Sequence, residues 1–142
     1  MGSLITIGAD SSVEATVRCG SVAGDINSIA RYLRNPTVPV PSRVNYASSH
    51  IFSKALFQSG TWGFINVTAQ HKVHTTVMRT YRLIANQDFH SCSKRSALPA
   101  SDSEVLSQLK APAPLGLLRL ARVLLYVRLC VKQPEALINL LN

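Results

Sequence analysis

Residues 115–131 form an apolar run of 17 positions whose only charges are Arg119, Arg122 and Arg128. Such a run must be sheltered from water by lipid or by protein. Its length lies at the short edge of a membrane span, and each central Arg costs roughly 2.5–3.5 kcal/mol on insertion. A spanning segment is therefore disfavoured, and a buried helix is expected; Val123, Val127 and Val131 keep a strand alternative open. Residues 115–141 carry more aliphatic side chains than a small core obviously needs. Surplus apolar surface of this kind commonly becomes an interface between copies, so a homo-oligomer is expected. The chain's 142 residues are the size of one domain, and its 46% hydrophobic content excludes a disordered tail.

The rest of the chain reads as a mixture of strands and helices. Leu4–Ile7 is a short β candidate, and Val13, Ala15, Val17 and Cys19 alternate with polar residues in the period of a half-buried strand. Asp25 can cap a helix carrying Ile26, Ile29, Ala30 and Leu33, which Asn35-Pro36 would stop. Residues 35–49, with Pro36, Pro39 and Pro41, read as a long loop; a helix over 51–59 follows, capped by Ser48 or Ser49 and ended by Gly60. Residues 61–68 and 76–85 are rich in Thr, Val, Ile and aromatics, and read as an antiparallel hairpin. Ser101-Asp102-Ser103-Glu104 has capping-box spacing ahead of Val105, Leu106 and Leu109. Pro134 can start a last helix. The expected fold is α+β, a small antiparallel sheet packed against several helices with a helical C-terminal region. It forms one compact domain over 1–142, with 1–10 a flexible N-terminus, 86–103 a loop and 104–142 the helical subregion.

Charge is lopsided: 15 Lys and Arg against 7 Asp and Glu. From residue 26 to residue 87 there is no acid, while Arg31, Arg34, Arg43, Lys54, Lys72, Arg79 and Arg82 fall there, and Lys94 and Arg95 follow. These nine side chains are the expected anion-binding surface, suited to phosphates or anionic lipid head groups. Trp62, Phe64, Tyr81 and Tyr32 supply aromatics without the motif of an RNA-stacking module; core packing accounts better for most of them.

Site chemistry is sparse. His71-x-x-His74 and His90-Ser91-Cys92 hold metal-ligand residue types, but on a strand positions i and i+3 face opposite ways, and no Cys-x-x-Cys completes a set. Cys92 or a serine, with His90, His74 and Asp88, lacks the setting of an activated nucleophile, and residues 19–25 lack the Lys-Ser/Thr ending of a phosphate loop. No enzyme, metal or cofactor is expected. Cys19, Cys92 and Cys130 are odd in number and widely spaced, which fits free thiols in a reducing compartment. No secretory signal is evident, whereas Met1-Gly2-Ser3-Leu4-Ile5-Thr6 fits the loose N-myristoylation pattern, making Gly2 a candidate lipidation site.

A strand pair, a capped helix near residue 25, a long Pro/Ser loop, the helix Ile51-Phe52-Ser53-Lys54-Ala55-Leu56-Phe57-Gln58-Ser59-Gly60, then strands over 62–68 and 73–85: this order resembles matrix proteins of rhabdovirus-type negative-strand RNA viruses over residues 12–85. The resemblance implies a basic, self-associating, non-enzymatic structural protein that bridges nucleocapsid and anionic membrane. It would be found in the virion and host cytoplasm, peripheral at the inner membrane face. Pro36-Thr37-Val38-Pro39 departs from the family's budding motif at its third position, and the family's basic N-terminal tail is absent. The alternative is an RNA-binding viral accessory protein such as a silencing suppressor.

Overall fold

The computed structural model describes residues 11–63, 65–86 and 100–132, and every regular element among them is helical. Helix α1 spans Ser12–Leu33; α2, Val40–Ala47, runs through a π-helical turn, Ser48–Phe52, into the short α3, Ser53–Ala55. A 3₁₀ turn at Ser59–Thr61 leads to α4, Val67–Ile84, and after it come α5, Asp102–Leu109, and α6, Pro114–Lys132. The expected α+β fold is thus corrected: no strand and no sheet occurs among the described residues. Leu4–Ile7 and the helix proposed from Pro134 lie outside them.

The reasons for the correction are local. Ala15 and Cys19 are buried, but Val13 and Val17 are 55% and 52% exposed, so the apparent alternation is a helical stripe of Ala15, Cys19, Val22, Ile26 and Leu33. Asp25 sits inside α1 and caps nothing, its carbonyl accepting from Ser28 Oγ. In α4 the buried side chains Ala69, Val73, Val77, Tyr81 and Ile84 keep the spacing of one helix face. The threonines that favour a strand reading are accommodated because Thr75, Thr76 and Thr80 each donate a hydroxyl proton to the carbonyl four residues earlier. The long loop holds α2, which Pro41 suits in its first turn. Ser48 and Ser49 do not start a helix; they donate back to Val44 and Asn45 within one that continues.

α1 and α4 lie side by side and run in the same direction. At their N-termini Ser11 and Ser12 hydroxyls accept from the Gly63 and Asn66 amides, and Asn66 caps α4 through its side chain on Ala69 N. At their C-termini Arg43, 5% exposed, sends one Nη1 to the carbonyls of both Leu33 and Ile84, at 2.8 Å each. Parallel helices align their dipoles unfavourably, and each C-terminus carries roughly half a negative charge; one guanidinium between two such ends offsets both. The buried charge therefore has its counter-charge in backbone carbonyls rather than in a carboxylate. Arg43 Nε finds no acceptor among the described residues, a cost set against those two charged hydrogen bonds.

Two apolar clusters fill the helix pair's flanks. Towards the C-terminal ends Val22, Ile26, Leu33, Ile51, Phe52, Tyr81 and Val105 pack together, with Phe52 edge-on to Tyr81 at 5.2 Å. Towards the N-terminal ends Ala15, Cys19, Trp62, Ile65, Ala69 and Val73 receive Leu118 of α6. The Ser101–Glu104 capping box forms at α5, with the Ser101 amide donating to the Glu104 carboxylate at 2.7 Å. Gly60 stops no helix; the left-handed residue there is Gln58, and Gly60 is small because a Cβ would stand 2.8 Å from the Ala121 carbonyl oxygen.

Two substitutions test this account. Arg43→Met should lower unfolding free energy by about 3 kcal/mol in urea titration, leaving two helix ends facing an apolar group. Gly60→Ala should cost about 1–3 kcal/mol by forcing α6 away from the 3₁₀ turn.

Candidate anion-binding cleft

The expected basic surface is divided by the fold. Arg43 is internal and serves the helix ends, which removes it from any ligand-facing set. Lys54 points to Asp25 at 2.8 Å, Arg31 is exposed in the last turn of α1, and Lys72 is exposed on α4. Lys94, Arg95 and Gly2 lie outside the described residues, as do His90, Cys92 and Asp88. Arg34, Arg79 and Arg82 do come together.

They line a cleft of about 710 Å³ between α1, α4 and the start of α5. Its polar lining includes Asn27, His71, His74, Thr75 and Asp102, and its apolar floor Ala30, Met78 and Leu83. On α4 the positions His71, His74, Thr75, Met78 and Arg82 recur at helical spacing, so one face supplies most of the wall. Arg79 Nη2 donates to Asn27 Oδ1 at 2.7 Å, tying the two walls together. Arg82 donates to the Ala100 carbonyl at 2.8 Å and to Asp102 Oδ1 at 2.5 Å, while Asp102 Oδ2 is 2.7 Å from His74 Nε2. The Arg82 guanidinium, and then the His74 ring, hold the Asp102 carboxyl below its ordinary value. Among the described residues three guanidiniums and two imidazoles share this lining with one carboxylate, an arrangement suited to phosphate oxygens.

Reading α4 as a strand separates His71 from His74; on the helix they share the cleft wall. No group of three or more potential metal ligands gathers among the described residues. Asn27 and Asp102 carry no sequence signal of a site; the helical spacing of residues 71–82 is the one pattern that points to the wall. Trp62 and Tyr81 are buried, and Tyr32 packs in a tilted pair with Tyr46 at 4.6 Å, so among the described residues the only rings lining the cleft are the imidazoles of His71 and His74. Cys19 is buried at the other flank, where burial pushes its thiol up from the ordinary value.

α6 departs most from expectation. It is a helix, but its outer face is exposed rather than buried, with Leu120 at 52% and Val131 at 78%. No helix among the described residues is long and apolar enough to cross a membrane.

Because the folded chain binds the Asp102 proton less tightly than the unfolded chain does, its contribution to stability is full above the ordinary carboxylate value of 3.8. It is lost as pH falls from there through the lower folded value. Thermal unfolding of Asp102→Asn should therefore lie below that of the parent at neutral pH and converge with it in acid. Searched against known proteins, the chain matches no family model, no curated protein and no solved structure.

Proposed function

We propose that this is a non-enzymatic RNA-binding protein that takes the sugar–phosphate backbone of a single strand into the cleft between α1 and α4. The observation that carries this reading is the convergence of Arg34, Arg79 and Arg82 from two helices on one groove, with His71 and His74 beside them. Guanidinium groups grip phosphate through paired donors, and a groove concentrates their field. Among the described residues no Phe, Tyr or Trp lines the cleft, and guanidinium groups dominate its charge. Recognition is accordingly of the phosphate chain, insensitive to sequence and steeply salt-dependent.

The matrix-type alternative places the protein in the virion, against the inner membrane face, and asks it to hold nucleocapsid and anionic membrane at once. The cleft fits its nucleocapsid half. The strands in the element order that suggested the family are not found among the described residues, so this alternative draws its support from surface chemistry alone.

Titration of a fluorescent single-stranded RNA tests the proposal. Arg34→Glu combined with Arg79→Glu should weaken binding at least about tenfold and flatten the log K against log salt plot by roughly 0.7 per lost phosphate contact. Lys54→Ala, outside the cleft, should leave binding unchanged. Affinity that ignores salt, or survives the double charge reversal, overturns the reading. Inorganic phosphate and a mononucleotide as competitors distinguish a polymer groove from a small-ligand pocket: effective competition by the mononucleotide at equal phosphate overturns it.

A further inference from the structure

Eight of the fourteen large hydrophobic residues exposed among the described residues lie on α6. Leu120, Val123, Leu124, Val127 and Val131 form one continuous outward stripe, at the spacing of a single helix face. The stripe is presented outward by the way the opposite face is held. Leu118 enters the core, Ala121 abuts Gly60, and Arg122 donates to the carbonyls of Trp62 and Gly63 at 3.2 Å each. Rotating the helix to bury the stripe would break all three contacts.

Charge selects the occupant. Every charged side chain on α6 is basic, and no Asp or Glu occurs from residue 105 to residue 134. Around the helix axis Arg119 flanks the stripe on one side and Arg128 on the other, both exposed. Pairing the stripe with a second copy brings like charges together at the rim with no carboxylate on the helix to answer them. Against an anionic bilayer the same arginines meet lipid phosphates and carboxylates, while the aliphatic stripe enters the boundary between head groups and acyl chains. The helix lies in the surface and does not cross it, consistent with three arginines along its length.

We propose that α6 is a membrane-surface docking helix, inserting Leu120, Leu124, Val127 and Val131 into an anionic lipid leaflet with Arg119 and Arg128 on the head groups. This surface is separate from the cleft and stands whether or not the cleft binds RNA. It supplies a membrane contact from a part of the chain other than the acid-free segment.

Co-sedimentation of the full chain with phosphatidylcholine vesicles, with and without phosphatidylserine, tests it. Binding should be at least about tenfold stronger to the anionic vesicles and should weaken with salt. Leu124→Glu with Val127→Glu should abolish it while leaving the circular dichroism and thermal unfolding of the parent, because both side chains already face solvent. Arg34→Glu with Arg79→Glu should retain vesicle binding, which separates this surface from the cleft. Absence of binding to anionic vesicles overturns the proposal, as does equal binding by the Leu124/Val127 variant. A concentration-dependent doubling of mass by light scattering, lost in that variant without any vesicle binding, assigns the stripe to a second copy instead and also overturns it.

Discussion

One guanidinium holds together the C-terminal ends of α1 and α4, the helix pair around which both apolar clusters pack. α1 and α4 run parallel, so their negative ends meet, and without a cation there the pair would repel at the place where its core is largest. Arg43 reaches that point from the short α2, which brings a charge to two carbonyls and then continues through the π-helical turn to deliver Ile51, Phe52 and Ala55 to the same cluster. The other end of the pair needs no ion. There the amides of Gly63 and Asn66 donate to the hydroxyls of Ser11 and Ser12, and the Asn66 side chain accepts from Ala69 N, the ordinary answer to a helix N-terminus.

This arrangement leaves one flank of the pair open. The α2 to α3 segment and α6 cover the others, and α5 is pinned to α4 by Arg82 and His74 on Asp102. The cleft is the space bounded by that clamp on one side and the Asn27–Arg79 contact on the other. Residues that stabilise the fold thus also set the width of the groove, and the charges left facing it are those whose partners lie at its edge. The outward stripe of α6 follows from a similar economy: the helix spends its inner face on Leu118, Ala121 and Arg122, and nothing among the described residues covers the remainder.

Where the sequence misleads, it does so for definable reasons. β-branched and aromatic content in residues 67–84 argues for a strand by propensity, yet the apolar spacing Ala69, Val73, Val77, Tyr81, Ile84 is helical, and threonine back-bonds make the helix tolerable. Propensity spans about 1 kcal/mol per residue, whereas burying a full stripe is worth several times that, so the period wins. The same holds for Val13 and Val17, whose alternation with Ala15 has no counterpart in burial. Of the expected caps, the Ser101–Glu104 pair forms because it is a reciprocal local geometry that needs no tertiary partner, whereas Asp25, Ser48, Ser49 and Gly60, single residues without such a pair, neither start nor stop a helix. The site was half legible. A long acid-free segment points to an anion, but its seven cations and the two that follow it do not act together, since one is buried, one is paired with Asp25 and two lie outside the described residues.

By itself the sequence determined what is local: a helix end at Asn35-Pro36, the capping box and the excess of positive charge, while it left residues 115–131 open between helix and strand. Tertiary structure alone decided the rest. It turned Arg43 from a surface cation into an internal counter-charge, brought Arg34 of one helix beside Arg79 and Arg82 of another, and set the apolar face of α6 outward. Each of these depends on which helix lies against which, and in what direction, and composition and spacing along one chain carry no information about direction across space.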